Sequence, residues 1–257
     1  MTPHYVQSGP LDAPAVVLSH SLGSTNDMWE PQLAALENHY RVIRYDTRGH
    51  GGSVTEGSGW TIDDLADDLV DLLQHLKIPR AHFVGISLGG ATAMHLAARE
   101  PERVHTLTLM CTGATIADRD TWTERAALVR ASGCEPIVTA SMGRWFSDDF
   151  HTHHGDIVTQ HAMRLATTDH SGYAGCCDAL AELDLRAELP LIKARTLVIY
   201  GSEDEVTPQT SAEYLAGRLP HSQLHEITGA KHMAPTEKPD RVNELLLNHL
   251  ANESETT

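Results

Sequence analysis

The sequence predicts an α/β fold: a mostly parallel central sheet with helices on both faces and a helical cap inserted into the core. Three observations predict it. Apolar runs and helical patterns alternate from Ala15 to Met110, as a parallel sheet with crossover helices requires. The alternation stops between about Gly113 and Leu189, where the chain turns polar and helical, and it resumes at Thr196. Between Ala81 and Glu100 a short apolar run passes through Gly85-Ile86-Ser87-Leu88-Gly89 into an alanine-rich helical pattern, which sets a serine at the tip of a sharp strand-to-helix turn. The chain thus divides into a core of residues 1–112 and 190–257 and a helical cap of residues 113–189.

Each element has a local reason. Tyr5 to Ser8 is a short extended segment before the Gly9-Pro10 turn, and the continuous apolar run Ala15-Val16-Val17-Leu18 leads into Ser19-His20 as a buried strand. Ser19-His20-Ser21-Leu22-Gly23-Ser24 follows as a small, flexible loop, then a helical stretch around Trp29 to Glu37 and a strand from Tyr40 to Asp46. The glycine-rich run Thr47 to Ser53 has neither the Gly-Lys-Ser/Thr ending nor the Gly-x-Gly-x-x-Gly spacing of a phosphate cradle, so it reads as a structural loop. Thr61 caps a helix in which Ile62, Leu65, Leu69, Leu72, Leu73 and Leu76 form one stripe. Asp63, Asp64, Asp67, Asp68 and Asp71 avoid that stripe and are expected on a solvated face, without the Gly-interrupted spacing of a calcium loop.

After Pro101-Glu102-Arg103 breaks the serine-bearing helix, Val104 to Met110 gives another strand. The cap carries Trp122, Trp145, Phe146 and Tyr173 among Arg125, Arg130, Arg144 and Arg164. Its His151-Thr152-His153-His154 cluster lacks a companion acid or thiol at helical spacing and is expected to face solvent. Thr196 to Tyr200 is the penultimate strand, with Glu203, Asp204 and Glu205 just beyond it. A helix around Ser211 to Leu219, a strand at Leu224 to Thr228, a loop bearing His232 and a closing helix from Asp240 to Leu250 complete the core, and a polar tail to Thr257 is expected to fray.

Composition excludes several classes. The 257 residues, 41% of them apolar, suffice for one large domain, and no run approaches the ~18–20 apolar residues of a membrane span. A net charge of −16 disfavours nucleic acid and anionic membranes as partners. Four cysteines, two adjacent at Cys176 and Cys177, form neither a disulfide framework nor a spaced metal motif and are expected as reduced thiols. MTPHYVQSGP lacks the basic and apolar regions of a signal peptide, so the cytoplasm is the expected compartment. Oligomeric state is not encoded in any pattern of the chain.

Gly-x-Ser-x-Gly alone arises by chance; strand before and helix after make Ser87 a nucleophile at a turn whose flanking glycines let backbones pass closely. In the fold such a turn implies, two backbone amides would bind a developing oxyanion, those of Leu22 in the loop after the first buried strand and of Leu88 after the nucleophile. His232 follows the last strand, where an imidazole can take the serine proton, and an acid after the penultimate strand would orient it. The order nucleophile, acid, histidine is that of an α/β-hydrolase, and a serine in place of an aspartate at the turn argues against the alkyl-ester chemistry of haloalkane dehalogenases and epoxide hydrolases.

A narrower resemblance rests on Arg44-Tyr45-Asp46-Thr47-Arg48-Gly49-His50-Gly51, Thr61-Ile62-Asp63-Asp64-Leu65-Ala66, Gly85 to Gly90, Arg144-Trp145-Phe146 and above all Ser171-Gly172-Tyr173-Ala174-Gly175-Cys176-Cys177-Asp178-Ala179-Leu180. With these, the chain resembles the 3-oxoadipate enol-lactonases from Ala15 to about Leu250; it departs after His232, where Met233-Ala234-Pro235 stands in place of Leu or Ile and small polar residues. The resemblance implies Asp204 as the acid among the three candidates, a small enol lactone with an acetate arm as substrate, and no metal or organic cofactor. An anionic substrate of an acidic protein needs a local cation: Arg144 and Arg130 are the candidates, with Trp122 and Trp145 as apolar walls. A broader carboxylesterase, a carbon–carbon bond hydrolase of the same fold and a ligand receptor that kept the fold are the alternatives.

Overall fold

A computed structural model describes residues 2–55, 57 and 59–251. Seven strands form one sheet: β1 (Tyr5–Ser8), β2 (Ala15–Ser19), β3 (Arg41–Tyr45), β4 (Ala81–Ile86), β5 (Val104–Met110), β6 (Arg195–Gly201) and β7 (Ser222–Ile227), in the order β1-β3-β2-β4-β5-β6-β7. Only β1 runs antiparallel, against β3; all other pairings are parallel. Every residue of β2 and β4 is buried, the pattern of central strands covered on both faces, and each such Val, Leu or Ile contributes roughly 1.5–3 kcal/mol.

Six helices belong to this sheet: α1 (Glu30–Leu36), α2 (Ile62–Leu76), α3 (Leu88–Arg99), α9 (Gln209–Arg218), the one-turn α10 (Ala234–Glu237) and α11 (Pro239–Ala251). α2 starts with a complete capping box, Thr61 and Asp64 bonding reciprocally, and stops at Lys77 in the left-handed region. Its aspartates are not all solvated. Asp68 is buried and takes a bidentate pair of hydrogen bonds from Arg48, Nε to Oδ2 at 2.6 Å and Nη2 to Oδ1 at 2.7 Å. Asp68 lies three residues after Leu65 and four before Leu72, at the edge of the apolar stripe, so the loop carrying Arg48 closes over it.

Between β5 and β6 lie five helices, α4 (Arg119–Ser132), α5 (Val138–Trp145), α6 (Asp148–His153), α7 (Gly155–Thr167) and α8 (His170–Ala181). α8 is buried along Gly172-Tyr173-Ala174-Gly175-Cys176-Cys177, and its small residues explain how it sits so low on the core. A Cβ on Gly172 would stand 2.4 Å from the Gly49 Cα, and one on Gly175 would meet the Trp60 ring at 2.5 Å. The run is therefore a contact surface, with Thr55 Oγ1 also donating to Asp169 Oδ1 at 2.8 Å. His153 and His154 are exposed and His151 is half-buried, as expected of a solvent-facing cluster; the expected lack of an acid at helical spacing does not hold, since Asp149, four residues earlier on α6, stands 3.2 Å from His153 Nδ1. All four cysteines are free and buried. Among the described residues no helix is long and apolar enough to cross a membrane; the polar tail expected to fray, 252–257, lies outside them.

Candidate active site

Ser87 joins β4 to α3 with φ 55° and ψ −121°, a conformation that non-glycine residues rarely hold. The turn is over-determined. Ser87 N donates to Met110 O at 3.0 Å, and Ser87 O accepts from Ala91 N at 2.9 Å and Thr112 Oγ1 at 2.8 Å. The flanking glycines are required by contact: a Cβ on Gly85 would lie 2.4 Å from Gly89 O, and one on Gly89 would lie 2.3 Å from Ser19 O. The Leu88 amide is the first of α3 and has no carbonyl of its own helix to bond.

Of the three acids after β6, Glu203 and Glu205 are exposed and Asp204 is buried. Asp204 Oδ1 accepts from Val206 N at 2.8 Å and Thr207 N at 3.1 Å; Oδ2 accepts from Thr207 Oγ1 at 2.7 Å and from His232 Nδ1 at 2.9 Å. A carboxylate only accepts, so the ring proton facing Asp204 sits on Nδ1, and Nε2 is the nitrogen left for proton transfer. Burial alone would lift the Asp204 carboxyl; the His232 charge and hydrogen bond and those of Thr207 outweigh it and hold the group below its ordinary value. The loop bearing His232 is tied down on both sides: Met233 N donates to Trp145 O at 3.0 Å, and Lys231 N to Glu237 Oε1 at 2.7 Å. The other oxygen of this buried glutamate takes Ser147 N at 3.0 Å and Ser147 Oγ at 2.6 Å.

Ser87 and His232 line one cavity of ≈ 130 Å³, with Leu22 and Ser21 on one side and Glu205 and Val206 on another. Most of its remaining wall comes from the helices between β5 and β6, among them Trp122, Arg125, Arg144, Trp145 and Tyr173. Four expectations thus meet there, Leu22, Trp122, Trp145 and Arg144. Arg130 does not: it pairs with Asp178 of α8 on the exposed side of α4. Five residues, about 140° of helix rotation, separate Arg130 from Arg125, so one faces α8 and the other the cavity. Arg125, one of the cap arginines but not one of the two expected cations, lines the cavity instead; its place three residues after Trp122 puts both on one helix face. Its guanidinium stacks over the Trp122 ring at 5.5 Å, and its Nη1 donates to Tyr173 Oη at 3.4 Å.

The cavity is cationic despite the acidic surface. Among the described residues neither Arg125 nor Arg144 forms an ion pair. Burial and then the neighbouring Arg125 charge lower the Arg144 guanidinium from its ordinary value, while Glu205 on the cavity wall acts the other way without forming an ion pair with it. Cys111, at φ 44° beyond β5, completes with Asp204 and His232 a buried trio whose ligand atoms lie within 4.8 Å of one another. Burial first, and Asp204 second, push the Cys111 thiol well up, so the thiolate that a metal would require is disfavoured.

The chain is similar to known proteins over nearly its whole length. The family described as alpha/beta hydrolase fold matches residues 14–239. The chain is 41% identical over 240 residues to 3-oxoadipate enol-lactonase 2 of Acinetobacter baylyi, covering 93% of this chain and 90% of that protein. It is 33% identical over 248 residues to a protein of Pantoea ananatis named as the carbamate hydrolase RutD, covering 93% and 89%. The crystal structure of the enol-lactonase from Burkholderia xenovorans LB400 superposes with a TM-score of 0.95 at 37% identity, over 97% of this chain and 96% of that one.

Proposed function

The chain belongs to the α/β-hydrolase family, and from that premise we propose that it hydrolyses 3-oxoadipate enol-lactone to 3-oxoadipate, a late step in protocatechuate and catechol degradation, through Ser87, His232 and Asp204. The observation that carries this reading is the cavity itself, which holds a serine at a strained turn, an Asp204-oriented imidazole and two arginines without carboxylate partners. A small lactone with an acetate arm matches that set: an acyl carbon for the serine and an anion for Arg125 and Arg144.

In this mechanism Ser87 Oγ attacks the lactone carbonyl as His232 Nε2 takes its proton, and Asp204 stabilises the imidazolium. The Leu22 and Leu88 amides receive the oxyanion. Collapse breaks the ring C–O bond, and His232 returns the proton to the enol oxygen, which stays tethered within the acyl-enzyme and tautomerises to a ketone. Water, deprotonated by His232, then attacks the acyl carbon and releases the dicarboxylate with Ser87 reprotonated. The helices between β5 and β6 act as a cap over the strand ends, supplying the walls and the charge.

Steady-state loss of the lactone's ultraviolet absorbance tests the reading, run with wild type, Ser87→Ala, a neutral aryl acetate and a simple carbamate. Fast turnover confined to the lactone and abolished by the substitution is expected. Preferential carbamate turnover would favour the reading suggested by the Pantoea relative, turnover of the acetate alone a general esterase, and binding without turnover a receptor.

A further inference from the structure

Two buried histidines outside the Ser87–His232–Asp204 set brace the loop that carries Leu22. His20 Nδ1 donates to Ser21 O at 2.7 Å, and its Nε2 accepts from Thr47 N at 2.9 Å. His50 runs the opposite way: Nε2 accepts from Gly23 N at 3.0 Å, and Nδ1 faces Arg48 O at 3.2 Å. A backbone amide only donates and a carbonyl only accepts, so both rings are neutral with the proton on Nδ1. The ring centroids lie 5.4 Å apart, and the two side chains cross between the 19–24 and 46–53 loops.

The peptide group is planar and trans, so its C=O and N–H point in opposite directions. Ser21 O and the Leu22 N–H belong to the same peptide plane. Holding Ser21 O, which Ser24 N also contacts at 3.1 Å, therefore sets where the Leu22 N–H points. The next plane, Leu22–Gly23, is held through the Gly23 amide by His50. Gly23 itself sits at φ 77°, a conformation that favours glycine, with Leu165 Cδ1 2.6 Å from where a Cβ would stand. We propose that His20 and His50 are positioning residues that fix both peptide planes around Leu22 and so aim its N–H at the oxyanion; this rests on the role given to Leu22 and Ser87 above. Burial lowers both imidazoles from their ordinary value, His50 to about 3 with the His20 charge adding to the shift, which favours the neutral rings that the hydrogen bonds require.

A crossover of isosteric amides tests the brace. Asparagine places its amide near the Nδ1 position and glutamine near Nε2. His20→Asn keeps the donor to Ser21 O and His20→Gln loses it; His50→Gln keeps the acceptor for Gly23 N and His50→Asn loses it. The readouts are phosphonylation of Ser87 by a fluorophosphonate, kcat and KM for 3-oxoadipate enol-lactone, and affinity for 3-oxoadipate. His20→Gln and His50→Asn are expected to lose roughly 10- to 100-fold in phosphonylation and kcat, with KM and product affinity unchanged, while His20→Asn and His50→Gln stay within about threefold of wild type. Wild-type rates in all four variants would overturn the brace and leave Ser87 as nucleophile. Equal losses in all four, regardless of the atom retained, would reduce both rings to packing and also overturn it. Failure of the fluorophosphonate to mark Ser87 in the wild type would overturn the parent reading, and the brace with it.

Discussion

The ends of the central strands and the helices between β5 and β6 contribute to one cavity by different physical means. On the strand side, Ser87, Asp204 and His232 are held by backbone: a turn at φ 55° pinned by three hydrogen bonds, and a carboxylate fed by the amides of residues two and three positions on. On the helical side, Arg125 stacks on Trp122 and donates to Tyr173 Oη, and Arg144 Nε donates to Ala140 O of its own helix. In the proposed mechanism the strand side carries the chemistry and the helical side meets the substrate. Families that share the first and vary the second acquire new substrates without rebuilding the nucleophile.

The sharpest break in that comparison is Ser87→Ala, expected to lower kcat by roughly 10⁵-fold or more while the melting temperature holds. Alanine removes only Oγ, which the turn's hydrogen bonds do not use. Next come Arg125→Met and Arg144→Met, expected to raise KM for the anionic lactone roughly 10- to 100-fold and to leave a neutral aryl acetate nearly unaffected. Arg130→Met is the control from the same helix: its pairing with Asp178 is half-exposed, so KM is expected to stay put and stability to fall by less than about 1 kcal/mol. Equal effects of Arg125→Met on both substrates would remove the acetate-arm assignment.

Gly172→Ala strikes where the two regions meet. The added Cβ would press on the Gly49 backbone, so a loss of roughly 1–3 kcal/mol in urea unfolding is expected, with kcat reduced through the neighbouring His50 loop. The smallest effect concerns pH. His161 on α7 is buried against Trp145 and Phe146, its Nδ1 has no partner among the described residues, and burial lowers it to about 4. The unfolded chain binds this proton below about 6.5 and the folded chain only near 4, so stability falls as pH drops through that window. His161→Phe is expected to shrink the loss between pH 7 and 5 by roughly 1–2 kcal/mol in urea midpoints; an unchanged pH slope would assign the acid sensitivity to other buried histidines, such as His82 and His249.

Legibility followed the same divide. The strands themselves, the Ser87 turn and the loop bearing His232 are readable because apolar periodicity and glycine placement act over a few residues; the order of the strands in the sheet is not. The choice among Glu203, Asp204 and Glu205 needed a family resemblance, since consecutive residues after a strand are distinguished only by which one turns inward. Asp68 and Arg130 were misjudged for one reason: each sits at the edge of a helix stripe, where the partner, Arg48 or Asp178, arrives from a distant segment.

What the sequence by itself determined is the alternation that builds a parallel sheet, the strained serine turn and the interruption that becomes five helices, because propensity and steric exclusion are local. Only the tertiary structure decided that Arg125 shares the cavity, that Glu237 ties the His232 loop to Ser147, and that His20 and His50 cross behind Leu22. Those contacts join residues far apart along the chain, and their directions follow from how whole elements pack, which no window of sequence contains.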